Sequence, residues 1–373
     1  MTNIFEIDTL EEYLATRHDL RDCVVQGLDL SGEGEALEAA SVAGAVFLGC
    51  SFDHSGLEES LRKRGALVFP EFGALPYNPY RPTLYSRDEL TAGWCGGDEP
   101  DASSLDYQIY SHFVAKGRHQ PDVLEAIAQR LHDHAIDDAL TDLLGGKHDD
   151  AVKKVVGIMG GHGTPRTDPF FAKAAAVGRG LARAGYFVAS GGGPGIMEAA
   201  NLGAYLAPFE DEALDQALAL ISRAPTFTDP GYMASAAEVV DRYPGGGDSL
   251  AVPTWFYGHE PSNMFSGHIA KYFSNSLRED GLLALATYGV VYAPGSAGTT
   301  QEIFMDATQN HYGTFEQISP MAFLGKDRYE AETGIFPLLQ RLAEGKRYGE
   351  MLLLSDDPAE VVSFIRSHPP TTA

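Results

Sequence analysis

The chain has 373 residues, of which 44% are hydrophobic and 10% aromatic, a balance that suits a globular protein and excludes wholesale disorder. Its formal net charge of −25 repels polyphosphates at long range and argues against DNA or RNA as the main ligand. A small anion remains compatible with that charge, because backbone amides and one well-placed arginine bind phosphate locally.

Residues 1–20 alternate acidic and apolar side chains and lack the basic start and apolar core of a signal peptide. No apolar run reaches the length of a membrane span, so no membrane partner is expected. Leu20, Val25 and Leu30 recur in five-residue steps, and Val42, Phe47 and Phe52 repeat them, which hints at short β-helix-like coils or at short strands and turns. Cys23, Cys50 and Cys95 are widely spaced with no CxxC or Cys/His cluster, so no disulfide framework or metal site is expected and a reducing cytoplasm fits. Pro70, Pro76, Pro79 and Pro82 make residues 69–82 a loop. Residues 96–100 break the chain again, and helical patterns follow at 107–115 and 121–144. His132 and His134 sit two apart on the second of these, point away from each other, and are expected at the surface. The polar, glycine-bearing run 143–150 is the expected boundary between an N-terminal α+β extension of unassigned role, 1–150, and a second domain, 151–373.

From residue 151 strand, turn and helix alternate. Short apolar runs at 155–159, 187–190, 250–253, 290–293, 321–324 and 351–355 predict strands. Stretches 168–184, 196–206, 268–285, 300–310, 334–343 and 358–367 predict helices. The fold class is therefore α/β, a Rossmann-like doubly wound parallel sheet covered on both faces. Such sheets bind ligands at the carboxyl ends of their strands, where the glycine-rich runs of this chain stand.

Three of those runs carry candidate chemistry. Gly160, Gly161 and His162 follow the first strand; no acidic residue after the second strand waits for a ribose, which disfavours an NAD-type site. Gly191, Gly192, Gly193 and Gly195 precede a helix, so their amides can approach an anion at its positive end. Glu198, in that helix's first turn, is either a helix-start residue or a ligand contact. Gly295, Ser296, Gly298 and Thr299 offer amides and hydroxyls to one phosphate, with Glu302 a turn inside the helix behind them. No lysine follows as a P-loop would require, so a monophosphate with nearby acid–base chemistry is more natural than a triphosphate. Trp255, Phe256 and Tyr257 either stack on a base or fill the core, and His162, His259, Asn263 and Asn275 are further candidate substrate contacts.

The pair of runs Gly191-Gly-Gly-Pro-Gly-Ile-Met197 and Pro294-Gly-Ser-Ala-Gly-Thr-Thr-Gln-Glu302 resembles the Lonely-Guy (LOG) family, whose signature is PGGxGTxxE and whose members were long mislabelled lysine decarboxylases. The resemblance covers residues 155 to the C-terminus. The long segment 208–247, the N-terminal extension, and the segments 253–261 and 273–280 (which holds Asn275) make the larger bacterial nucleotide 5′-monophosphate nucleosidases the closer match. Ser296 departs from the family's usual glycine but keeps the amide and adds a hydroxyl. The resemblance implies a catalytic Arg278 paired with Glu302, and a homodimer or higher oligomer.

The expected activity is cleavage of the N-glycosidic bond of a nucleoside 5′-monophosphate, without a cofactor. Arg278 would hold the substrate and Glu302 would stabilise the sugar cation or orient water. The alternative is a nucleotide-binding sensor of the same fold. An amino-acid decarboxylase would need a lysine to hold pyridoxal phosphate, and only Lys271 lies near the motifs, without a recognisable cofactor setting.

Overall fold

The computed structural model describes residues 5–96, 103–145 and 152–372. Most of the expected break at 96–100 and of the run at 143–150 lies outside the described residues, as do residues 1–4. The chain forms two compact units, residues 1–84 with 116–142 and residues 85–115 with 143–373. Residues 85–115 thus group with the second unit, so the division is not a single cut near residue 150.

In the first unit β1 (Phe5–Ile7), β2 (Cys23–Gln26), β3 (Val46–Leu48) and β4 (Leu67–Val68) pair in parallel, in that order. Helices Leu10–Thr16, Gly34–Ala39 and Ser55–Lys63 connect them. Val25 pairs with Phe47, and the bridges Asp19–Ser41 and Asp29–Ser51 flank that pair at the same sequence offset. Leu20, Val25, Leu30, Val42 and Phe47 are all buried in one core. The five-residue steps are therefore strands and turns of one small sheet. Helix Val123–Leu144 separates its two histidines as the spacing requires, but only His134 is exposed; His132 is buried, its ring edge-on to Tyr77, which corrects the expected surface position. Among the described residues no cluster of His, Cys, Asp and Glu could hold a metal ion, and no helix is long and apolar enough to cross a membrane.

The second unit is built on a seven-stranded sheet. Its strands are β5 (Val155–Met159), β6 (Phe187–Ser190), β7 (Leu250–Ala251), β8 (His268–Ile269), β9 (Val290–Tyr292), β11 (Met321–Leu324) and β12 (Leu352–Ser355), in the spatial order β12-β11-β9-β5-β6-β7-β8 and all parallel. A small antiparallel pair, β10 (Gln317–Ile318) with β13 (Thr371–Thr372), stands apart. Every residue of β5 is buried, as a central strand covered on both faces must be. Asp168 caps the helix Pro169–Arg183 through the Phe170 amide, and Asp357 caps Pro358–Ser367 through the Ala359 amide, each followed by proline at the first helical position. One helix began later than expected. Residues 268–285 split into β8 and a helix Asn275–Leu285, because Ile269, Ala270, Tyr272 and Phe273 are buried in succession, which an extended run at a sheet edge allows and one helix face does not.

The order of the strands locates the cleft. The chain enters at β5, moves outward through β6, β7 and β8, and then returns to the other side of β5 as β9. That reversal leaves a crevice outside the carboxyl ends of β5 and β9, where an open α/β sheet takes its ligand.

Candidate active site

The residues that end β5 and β9 meet directly. The Gly161 amide donates to the Pro294 carbonyl at 3.0 Å, and a side chain on Gly295 would run into Thr299. Ser296 is the last residue before the helix Ala297–Tyr312, Thr299 is buried in its first turn, and Gly298 faces open space. The amides at this helix start are thus free to meet an anion, which the helix dipole favours. Gly160, Gly161, Ser296, Gly298 and Thr299 line one side of a cavity of about 540 Å³.

Arg278 and Glu302 are neighbours in the lining of that cavity. Arg278 is buried on the helix Asn275–Leu285; its Nε donates to the Val252 carbonyl at 2.8 Å and its Nη2 to the Gly191 carbonyl at 3.3 Å. Its Nη1 stands 4.0 Å from Glu302 Oε1, too far for a hydrogen bond. Burial pushes the Glu302 carboxyl up to about 7; Arg278 opposes that rise and Glu279 adds to it. Glu279 is held at 2.9 Å by Gln301 Nε2.

The loop 191–195 owes its glycines to close neighbours as much as to any ligand. A β-carbon on Gly191 would collide with the Arg278 guanidinium, one on Gly193 would stand 2.7 Å from Glu260 Oε2, and one on Gly195 would meet the Gly161 and His162 carbonyls. Gly192 takes a left-handed φ of +72° and its amide donates to Ser190 Oγ. Of these four, Gly191 lines the cavity, while Gly195 lines a smaller adjoining hollow. Gly295 lines an adjoining groove, where its carbonyl accepts from Arg328 at 2.6 Å.

The remaining candidates divide cleanly. His162 and His259 line the cavity; Glu198, Asn263 and Asn275 do not. Glu198 is neither cap nor contact: it is paired with buried Arg166 through both oxygens and accepts from Tyr232 at 2.6 Å. Arg166 also donates to the Tyr232 carbonyl and to Ser235, which ties the inserted segment 208–247 to the second glycine loop. Asn263 donates to Asn201 at 3.0 Å, in a network with Ser190 and Ser249. Asn275 reaches the cavity only through Tyr257, whose hydroxyl it meets at 2.9 Å. Trp255 is fully buried core, whereas Tyr257 is 68% exposed and lines the cavity.

Sequence motifs did not reveal Glu260, Phe227 or Asp106. Phe227, from the inserted segment, lines the cavity with its ring near His162. Asp106 is wholly buried and accepts from Trp255 Nε1 at 2.7 Å, Ser262 Oγ at 2.8 Å and Lys271 Nζ at 2.8 Å. Burial pushes its carboxyl up, but Lys271 and His259 outweigh this and hold it below the usual range. Lys271 is therefore a buried structural partner. His259 lies 3.8 Å from Asp106, and burial lowers its pKa.

With fold and site in view, the class is a Rossmann-like α/β domain with a ligand cleft at its strand-order reversal. Residues 153–207, which run from β5 and its glycine loop through β6 and the glycine loop behind it to the helix Ile196–Tyr205, match the profile of the SLOG cluster4 family. That match agrees with the Lonely-Guy resemblance of the motifs. No curated protein matches the chain. Among solved structures it is similar to the molybdenum cofactor binding protein of Rippkaea orientalis, at 16% identity over 58% of this chain and 98% of that one, with a TM-score of 0.36. The Moco carrier protein of Chlamydomonas reinhardtii gives 17% identity over 58% and 96%, with a TM-score of 0.38. A protein described as TM1055 gives 19% identity over 58% and 99%, with a TM-score of 0.36.

Proposed function

We propose that the protein is a phosphoribohydrolase that cleaves nucleoside 5′-monophosphates to ribose 5-phosphate and a free base. The observation that carries this reading is Glu302, a carboxyl pushed up to about 7, facing Arg278 at 4.0 Å in a cavity whose other wall is a phosphate-sized set of amides. Breaking a bond from sugar carbon to base nitrogen builds positive charge on the ribose, and a carboxylate beside it stabilises that charge. The same carboxylate takes a proton from the attacking water, for which a pKa near the working pH is well matched. Water adds to the anomeric carbon, the carbon–nitrogen bond breaks, and the base leaves with its electron pair and gains a proton.

Ser296, Gly298 and Thr299 would hold the 5′-phosphate and so fix the sugar, with Gly160 beside them and Gly161, whose amide is taken by the Pro294 carbonyl, allowing close approach only. A free nucleoside should then react poorly. Arg278, clamped by two carbonyls, would hold the substrate through its phosphate or ribose hydroxyls with little reorganisation. The motif resemblance further suggests a homodimer or higher oligomer, and the spacing of the three cysteines fits a reducing cytoplasm.

The test is base release from a panel of nucleoside monophosphates, with free nucleosides as controls. Glu302→Gln should lower turnover by about 100-fold or more while nucleotide binding stays measurable. Full turnover in that variant would sink the assignment. Binding by the wild-type protein without release of any base would favour a sensor instead.

A further inference from the structure

We infer that Glu260 reads an amino group on the base, so that the site takes amino-bearing nucleobases in preference to their oxo counterparts. The inference rests on the nucleotide reading above and specifies the substrate class.

Buried carboxylates elsewhere in the second unit are saturated. Glu198 is held by Arg166 and Tyr232, Asp106 by Trp255, Ser262 and Lys271, and Asp306 by Tyr292 and Asn310. Two cavity carboxylates differ. Glu302 has Arg278 at 4.0 Å and accepts no hydrogen bond, and Glu260 has no hydrogen bond or ion pair among the described residues. An ionised carboxylate only accepts, and a ligand that covers one without donating to it pays the full desolvation penalty. A ligand that fills this cavity must therefore bring donors to two places.

Sheet order says which donors. The phosphate-sized loops end β9 and β5, Gly193 follows β6, and Glu260 follows β7 with its Oε2 2.7 Å from the place of a Gly193 β-carbon. Neighbouring strands lie about 4.8 Å apart, so the Gly193 position is roughly 10 Å from the β9 loop across the carboxyl edge. Arg278, seated on Gly191, and its neighbour Glu302 come between. A nucleotide laid along this edge with its phosphate at Ser296–Thr299 puts ribose hydroxyls at Glu302 and the far edge of the base at Glu260. There an amino group donates, while a carbonyl oxygen at the same place sets lone pair against lone pair.

The experiment compares AMP with IMP, GMP with XMP, and CMP with UMP, by kcat/KM for base release and by equilibrium binding. At least one amino nucleotide should exceed its oxo counterpart by about tenfold or more, the size of a hydrogen bond to a charged group. In Glu260→Ala that ratio should collapse toward one, while inhibition by ribose 5-phosphate, which has no base, stays as in the wild type. Glu260→Gln, which keeps the shape, should give an intermediate ratio. A wild-type protein without any amino preference, or a preference that survives Glu260→Ala, overturns the inference. An amino preference in binding without base release would leave it standing and remove the hydrolase reading; no binding of any monophosphate would remove both.

Discussion

A single proton on Glu302 links activity to stability. Its carboxyl lies at about 7 in the folded chain against an ordinary 4.5, so the folded state holds that proton more tightly than the unfolded one. The resulting stabilisation is complete below about 4.5 and is lost as pH rises through 7. Glu302→Gln should therefore be more stable than wild type at pH 8, by about 1–3 kcal/mol, and gain little at pH 5. Urea unfolding at the two pH values checks this, and an equal gain at both would contradict it. The proposed reaction runs the other way, since it uses the carboxylate form: kcat/KM for base release should climb as pH passes about 7 and level off above it. Asp306, one turn further along the same helix, is also pushed up to about 7 by burial, although Tyr292 donates to it at 2.8 Å. Its stabilising effect fades over the same approach to neutrality, so it deepens the fall in wild-type stability between pH 5 and pH 8.

At the scale of elements, two contacts decide whether the site assembles. The Arg166–Glu198 pair is buried and holds the helices Ile196–Tyr205 and Tyr232–Arg242 to the loop after β5. Glu198→Ala leaves a guanidinium buried without its counter-charge and should cost about 3–5 kcal/mol, read as a lower urea midpoint. Gly191→Ala acts on the proposed chemistry through Arg278: the added methyl displaces the guanidinium that would hold the substrate, so base release should drop by about 100-fold and nucleotide binding should weaken with it. An unchanged rate in that variant would mean that Arg278 is not placed by this loop.

These elements also mark what was legible in the sequence. The strands β5, β6, β7, β9, β11 and β12 and the run from Pro294 to Glu302 are readable because strand, turn and helix start are neighbours in sequence. The glycines at 191–195 were readable as a loop but not in their reason, since Arg278 and Glu260 come from distant segments. Glu198 reads in sequence as either a helix-start residue or a ligand contact because its partner Arg166 carries no motif. The strand β8 was hidden by its two-residue length inside a run with helical spacing. His132 was misplaced because a buried histidine and a surface one look alike until Tyr77 is brought beside it.

The molecule as a whole carries −25, and the proposed substrate is a dianion. Their long-range repulsion is screened by salt over a Debye length of about 10 Å at 0.1 M. The apparent affinity for a nucleoside monophosphate should therefore rise by about twofold or more between very low and physiological ionic strength, opposite to the behaviour of a basic nucleotide-binding protein. Titration at several salt concentrations measures it, and a monotonic fall would show that local contacts to the phosphate dominate instead.

Asp106 also sets a limit on dissection. The second unit does not begin at a point on the chain: its residues 85–115 precede a return of the chain to the first unit. A shortened gene starting at residue 151 would keep every glycine loop, Arg278 and Glu302, yet would delete the acceptor of Trp255, Ser262 and Lys271. Lys271 would then be a buried ammonium with no counter-ion, beneath the very segment that carries Tyr257, His259 and Glu260. Such a fragment should be poorly soluble or inactive although its motifs are intact, whereas one that begins at residue 85 keeps the acceptor. For this protein, the smallest heritable piece that keeps the candidate site's support is longer than the piece its signature motifs outline.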